Sequence, residues 1–187
     1  MTTIIEHINA LYPLSDESVQ ALRACTTLCR FPKKHLLIRE GIFNKSAYFL
    51  EKGITRSFWL VNGEEITTSF SSEGGIVFSM DELYYGKPSE EFVEALEEVE
   101  VYRIALTDLN RLFQTNIELA NWGRIIHQNE YRRLHASHKE RLTLPAAERY
   151  EAFQKQFPDI CRQVNLKYVA SYLGVTPPTL SRLRNKR

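Results

Sequence analysis

The chain of 187 residues, 43% apolar and 25% charged, is long enough for one large or two small domains with a buried core and has the composition of a soluble globular protein. No apolar run approaches the ~20 residues of a membrane span, and the opening MTTIIEHINALYPLSDE lacks the basic start and apolar stretch of a secretion signal, so a cytoplasmic location without a membrane partner is expected. The net charge of +1 is unevenly spread: residues 1–110 hold 10 Lys and Arg against 17 Asp and Glu, whereas residues 161–187 hold six basic side chains and no acid, which points to a polyanion partner for the last segment.

Residues 1 to about 30 read as helical. In SDESVQALRACTTL, Ser15 and Asp16 are candidate caps, and Val19, Leu22 and Cys29 recur at roughly helical spacing. Cys25 and Cys29, four apart, would then share a helix face. With Cys161 the thiols are too few for a disulfide framework, and an iron–sulfur cluster would want four ligands. They read as small apolar residues in a reducing compartment.

From about 31 to 106 short runs rich in Ile, Val, Phe, Tyr and Thr are broken by turn residues every 8–12 positions. KHLLIREG, SAYFLEKG, ITRSFWLVNGEEITTSFSSEGG and FVEALEEVEVYRI are such runs. Asn62-Gly63 between two of them is a hairpin signal, because a type I′ turn needs positive φ at both central residues. Regular short strands of this kind predict an antiparallel sandwich or barrel such as a jelly roll. The acidic run Glu94, Glu97, Glu98 and Glu100 reads as an exposed face that repels DNA.

Thr107-Asp108 resembles a helix start, and the chain reads as helical from there on. In ELANWGRIIHQNEYRRLHASHKERL, Leu119, Trp122, Ile126, Asn129 and Ala136 fall on one seam, which predicts a long helix pairing with a second copy through Leu119, Trp122, Ile126 and Asn129, the alternative being one helix lying on its own domain. Pro145 marks a break, and PAAERYEAFQKQFPD is a further amphipathic helix.

Residues 166–185 fit a helix-turn-helix unit. Ala170 is the small residue at the helix crossing, and Gly174, four later, sits where positive φ is wanted. Val169, Leu173 and Val175 face inward, and Leu180 and Leu183 pin the second helix. Pro177 and Pro178 are compatible with a first helical turn, which makes no use of its own N–H groups, and Thr176 suits an N-cap. The outward face presents Thr176, Thr179, Ser181, Arg182 and Asn185. Arg182 is the expected base reader, since a guanidinium bonds guanine O6 and N7 together. Arg184, Lys186 and Arg187 are expected at phosphates, which fix register without reading sequence.

These features together resemble the Crp/Fnr family of bacterial transcription regulators. The resemblance rests on KKHLLIREG with Gly41, AYFLEKGITRSF with Gly53, EVEVYRIALTDLNRLF, and LKYVASYLGVTPPTLSRLR with Arg182 at a base-contacting position. It implies an α+β architecture: a cyclic-nucleotide-binding-like jelly roll with flanking helices over 1–115, a dimerisation helix over 116–143, and a helix-turn-helix domain over 144–187. It also implies double-stranded DNA, a second copy of the chain and RNA polymerase as partners. Two departures stand out. Nucleotide-responsive members hold the cyclic phosphate with Gly-Glu-Leu and Arg-Ser. Here Glu82-Leu83 lack the preceding glycine, and Ser89, Glu90 and Glu91 stand in the Arg-Ser place. Phe78, Ser79, Glu82, Ser89 and Glu90 are therefore expected to line a degenerate effector pocket that rejects cyclic AMP and serves an unknown small molecule or none. Family members also continue into a β-hairpin wing, whereas this sequence stops at Arg187, so a full wing is not expected.

Chemistry of other kinds finds little support. A cupin-like or other metal-binding barrel needs several convergent histidines, and the strand-rich region holds only His35. His127, His135 and His138 lie on the long helix and read as solvated or interface residues. No nucleophile–base arrangement or phosphate-cradling glycine loop stands out, so no catalytic residue, cofactor or metal is expected. A partner-docking module with a degenerate DNA-binding tail remains the rival from another class.

Overall fold

A computed structural model of the chain describes residues 1–185, for Thr2 the backbone alone. Helices α1 (Thr2–Leu11) and α2 (Asp16–Ala24) come first. Ser15 caps α2, its Oγ accepting the Ser18 N–H at 3.3 Å, and its own N–H and hydroxyl both donate to Glu118 Oε2 at 2.8 Å. The helical reading then stops short. Thr26–Phe31 form strand β1, so Cys25 ends a helix while Cys29 sits on a strand, and the two share no helix face. Local spacing was outweighed by pairing: Thr26 through Phe31 lie antiparallel to Ile104 through Val99, with Arg30 bonded to Glu100 at 3.0 Å.

The remaining strands are β2 (Leu36–Ile38), β3 (Ser46–Lys52), β4 (Thr55–Val61), β5 (Glu64–Ser71), β6 (Ile76–Val77), β7 (Phe92–Ala95) and β8 (Val99–Ala105). They form two four-stranded sheets, ordered β1-β8-β3-β6 and β2-β7-β4-β5, the expected antiparallel jelly roll. Asn62 and Gly63 both have positive φ, 52° and 82°, as the hairpin reading required. The continuous apolar run AYFL is explained by burial on both faces of β3. Tyr48 and Leu50 join Leu37, Val93, Ala95, Val99 and Val101 inside the roll. Ala47 and Phe49 point the other way, into a second cluster with Ile4, Ile8, Leu22, Leu109 and Leu112 from the helices. Burial of a side chain such as Phe49 contributes roughly 2–3 kcal/mol. After β3 the chain turns at Gly53, whose φ is 99° and where a Cβ would lie 2.8 Å from Val99 Cγ1.

Helices α3 (Leu106–Thr115), α4 (Ile117–Thr143), α5 (Ala146–Gln156), α6 (Pro158–Gln163), α7 (Leu166–Leu173) and α8 (Pro177–Asn185) follow, with Pro145 at the α4–α5 break. The chain divides into two compact units. One comprises Met1–Ser57 and Phe70–Asn129, and the other Phe58–Ser69 and the residues from Glu130 onward. α4 runs unbroken through the boundary.

The face of α4 assigned to a partner is corrected. Leu119 and Trp122 are only 1% and 3% exposed, packed with Phe49, Leu109 and Leu112 of the same chain, and Ile126 lies against that cluster. The Trp122 and Phe49 rings are 5.9 Å apart, and Gly123 lets Phe113 approach to 3.1 Å of where a Cβ would stand. Those three side chains are covered by their own domain, and of the four only Asn129 is exposed. A 3-4 spacing identifies an apolar face but not what covers it. The opposite side of α4 carries a second run at steps of three and four: Ile117, Ala120, Arg124, His127, Tyr131, Leu134, His138 and Leu142. Tyr131 and Leu142 there are 70% and 72% exposed.

Candidate nucleic-acid interface

The unit α7–turn–α8 is assembled as its residues dictate. Asn165 caps α7, its Oδ1 accepting the Lys167 N–H at 3.0 Å. Gly174 ends the helix in the left-handed region, φ 64°, and the Val175 N–H returns to the Ala170 carbonyl at 3.0 Å. Thr176 opens α8. Its Oγ1 accepts the Thr179 N–H at 3.4 Å, and its carbonyl takes the first helical bond, from the Leu180 N–H, at 3.1 Å. Both prolines thus occupy the first turn of α8, where no N–H is missed. Val169, Ala170, Leu173 and Leu180 are buried, and Val175 and Leu183 half-buried, which fastens the second helix to the first.

Outward from α8 stand Arg182, Arg184 and Asn185, all exposed, with Thr176 exposed at its start and Thr179 and Ser181 half-buried beside them. Arg182 folds back on its own helix, its Nε donating to the Pro178 carbonyl at 3.3 Å, which leaves the guanidinium end at the surface. No acidic side chain lies between residues 160 and 187; Arg162 is paired with Asp159 at 2.6 Å, just before that stretch, whereas the charges of α8 itself are all basic. Such a face can pair guanidinium groups with phosphate oxygens and base edges. Lys186 and Arg187, assigned from sequence to phosphates, lie outside the described residues.

Four residues that the sequence reading missed hold this unit in place. Tyr172 on α7 is buried against Phe153, its ring 5.4 Å away. Its hydroxyl accepts from Arg133 at 3.3 Å and its carbonyl from Arg141 at 2.9 Å, so two arginines of α4 grip α7 directly. Ser171 ties the same helix to the β4–β5 hairpin, its Oγ accepting the Thr67 N–H at 2.9 Å and donating to the Glu65 carbonyl at 3.1 Å. Tyr172 is one of two tyrosines of α7, four residues after Tyr168, and no sequence signal separates them. The arginines gave no signal either.

The residues assigned to an effector pocket gather around a five-residue π-helical turn, Asp81–Tyr85. Ser79 is buried, its Oγ accepting the Glu82 N–H at 3.3 Å, and Ser89 is buried, donating to the Glu91 carbonyl at 3.0 Å. Glu82 is fully engaged: Oε1 accepts from the Asn44 backbone and side chain at 2.7 and 2.9 Å, and Oε2 from the Lys45 N–H at 2.8 Å. The exposed Glu90 donates its N–H to Asp81 at 3.0 Å. Phe78 packs 6.0 Å from the His127 ring, whose Nδ1 donates to the Gly123 carbonyl at 2.6 Å. In the neutral ring Nε2 then accepts from the Tyr84 hydroxyl. The cavity bounded by Phe78, Leu83, Trp122, Ile126 and His127 has a volume of about 10 Å³, room for one water, and of the residues assigned to the effector pocket only Phe78 lines it.

The acidic run is also corrected in part. Glu94 is not a free exposed charge, because it pairs at 3.1 Å with the fully buried Arg56, and Glu100 pairs with Arg30. Among the described residues no group of three His, Cys, Asp or Glu side chains converges as metal ligands would. No described helix is long and apolar enough to cross a membrane.

Residues 28–116 match the family model of the cyclic nucleotide-binding domain. No curated protein is significantly similar to the chain in sequence. Solved structures are similar over nearly the whole length. The c-di-GMP-responsive global regulator CLP of Xanthomonas campestris is 15% identical, with 92% of this chain and 91% of that one covered at a TM-score of 0.72. FixK2 of Bradyrhizobium japonicum is 18% identical, with 86% and 83% covered at 0.73. A transcriptional regulator assigned to the Crp/Fnr family from Eubacterium rectale is 13% identical, with 92% and 83% covered at 0.72. At these identities the likeness establishes the fold: a cyclic nucleotide-binding-type roll, a long helix and C-terminal helices in the Crp/Fnr arrangement.

Proposed function

We propose that this chain, with its cyclic nucleotide-binding-type domain in the Crp/Fnr fold, is a DNA-binding transcription regulator that acts as a homodimer and is not switched by cyclic AMP. The observation that carries the reading is the helix-turn-helix itself. A buried crossing at Ala170 and Leu180 and a left-handed Gly174 support an exposed α8 whose only charges are basic. α8 enters the major groove, with Arg182 as base reader, Thr176, Thr179, Ser181 and Asn185 beside it, and Arg184, Lys186 and Arg187 on phosphates. Two heads are supplied by two protomers joined along the free face of α4, through Tyr131 and Leu134 rather than Leu119 and Trp122. The grip of Arg133 and Arg141 on Tyr172 then fixes each head to the dimer helix. Acting as an activator, it would take RNA polymerase as a further partner.

The rejection of cyclic AMP has a physical basis. The phosphate would meet Ser89, Glu90 and Glu91 where a guanidinium is wanted, and the oxygens of Glu82 are already spent on Asn44 and Lys45. The reading is tested by gel shift against genomic fragments with the wild type and Arg182→Ala. Selective binding by the wild type is expected, and loss of one good bidentate contact costs about 1–3 kcal/mol, leaving weak, unselective binding. No binding by the intact protein at low salt contradicts the proposal and favours the partner-docking alternative.

A further inference from the structure

The outward face of α8 is short of hydrogen-bond donors over its first turn. Thr176, Pro177 and Pro178 are all exposed there. The prolines carry no N–H. The Thr179 N–H is taken by Thr176 Oγ1 at 3.4 Å, and the Leu180 N–H by the Thr176 carbonyl at 3.1 Å. The hydroxyls of Thr176 and Thr179 are bonded to each other at 2.9 Å, which holds one of their two protons. One turn further along stands Arg182, whose Nε donates to the Pro178 carbonyl at 3.3 Å. Pro178, Arg182 and Asn185, at steps of four and three, therefore form one exposed line, with a pyrrolidine ring at its leading end. Pro177 is rotated about 100° from Pro178, away from that line.

We propose that Pro178 is a specificity-determining residue that selects the methyl group of thymine, so that each half-site couples the guanine read by Arg182 to a thymine close by. The inference rests on the DNA-binding reading above and adds a residue to it. A recognition helix meets base edges with the residues of its N-terminal end, which brings the Pro178 ring to a base. That ring can neither donate nor accept a hydrogen bond. Laid against guanine N7 and O6 or the cytosine amine, it strips their water and returns nothing, whereas the C5-methyl of thymine gains from the same contact. The spacing follows from the helix. Four residues advance about 6 Å, against ~3.4 Å per base pair, so the thymine lies within about two base pairs of the guanine.

The test uses the duplex that the wild-type protein selects from a random library, remade with each thymine in turn replaced by uracil, which keeps the base pair and removes only the methyl. Affinities are measured for the wild type, Pro178→Gln and Arg182→Ala. Position 178 is exposed, so circular dichroism should show the Pro178→Gln fold intact, and the uracil series on the wild type needs no altered protein. The expected result is a loss of about four-fold per half-site when one thymine, within two base pairs of the guanine that Arg182→Ala ceases to distinguish, becomes uracil. In Pro178→Gln that sensitivity should vanish and adenine become preferred at the position, since a glutamine side chain bonds adenine N6 and N7 together. Selective binding that is indifferent to uracil at every thymine, or a uracil effect unchanged in Pro178→Gln, overturns the role of Pro178 while the DNA-binding reading stands. A wild type that selects no sequence overturns both.

Discussion

Gly53 and Gly174 both take left-handed backbone, yet the structure sets different costs for filling them. Around Gly174 nothing lies within 4 Å of a built Cβ, so Gly174→Ala meets backbone strain alone, about 1 kcal/mol. At Gly53 the same methyl lies 2.8 Å from Val99 Cγ1 and 2.9 Å from the Glu98 carbonyl, so overpacking adds to strain and roughly 3 kcal/mol is expected. Chemical denaturation of the two variants checks the order. Equal losses would mean that the turn after β3 can move away from Val99. Arg182 belongs to this scale as well, because the role proposed for it is a contact of one guanidinium and changes no packing.

α4 shows how far the sequence could be read. Its existence and length were legible from 3-4 spacing and from Pro145, and so was the helix-turn-helix, where each constrained position takes a distinctive residue type. Which face of α4 meets its own domain was not. Leu119, Trp122 and Ile126 and the run through Tyr131 and Leu134 are both periodic, and only the packing of Phe49 and Leu109 on the first decides between them. β1 was misread for the same reason, its pairing partner β8 lying some seventy residues away. The grip of Arg133 and Arg141 on Tyr172 left no trace in local spacing. The two faces of α4 should therefore fail differently. Trp122→Ala removes a buried indole and costs about 3–5 kcal/mol of stability. Leu134→Glu is expected to leave the fold intact and to dissociate the proposed dimer. Thermal melts paired with sedimentation separate the two effects. A Trp122 variant that dissociates without loss of stability would reinstate the discarded interface.

At the scale of the whole molecule, the roll has kept the architecture of a nucleotide sensor while its polar groups serve the protein itself. Glu82 anchors the 44–45 turn, Ser79 and Ser89 are buried in local bonds, and aliphatic side chains fill the roll interior. Cyclic AMP should accordingly give no heat of binding and no rise in melting temperature at micromolar concentration, and a micromolar affinity by calorimetry would show that the site rearranges. DNA affinity should instead respond to salt. With ~6–8 phosphate contacts per dimer, it should fall roughly a thousandfold or more between 50 and 200 mM. The account as a whole requires two α8 helices presented to one duplex, and selection of bound sequences from a random duplex library tests that requirement most directly. The expected product is an inverted repeat whose half-sites lie about 10 base pairs apart, centre to centre, with the enrichment lost in Arg182→Ala. A library that emerges unenriched, or enriched for a single unsymmetrical site indifferent to Arg182, contradicts it.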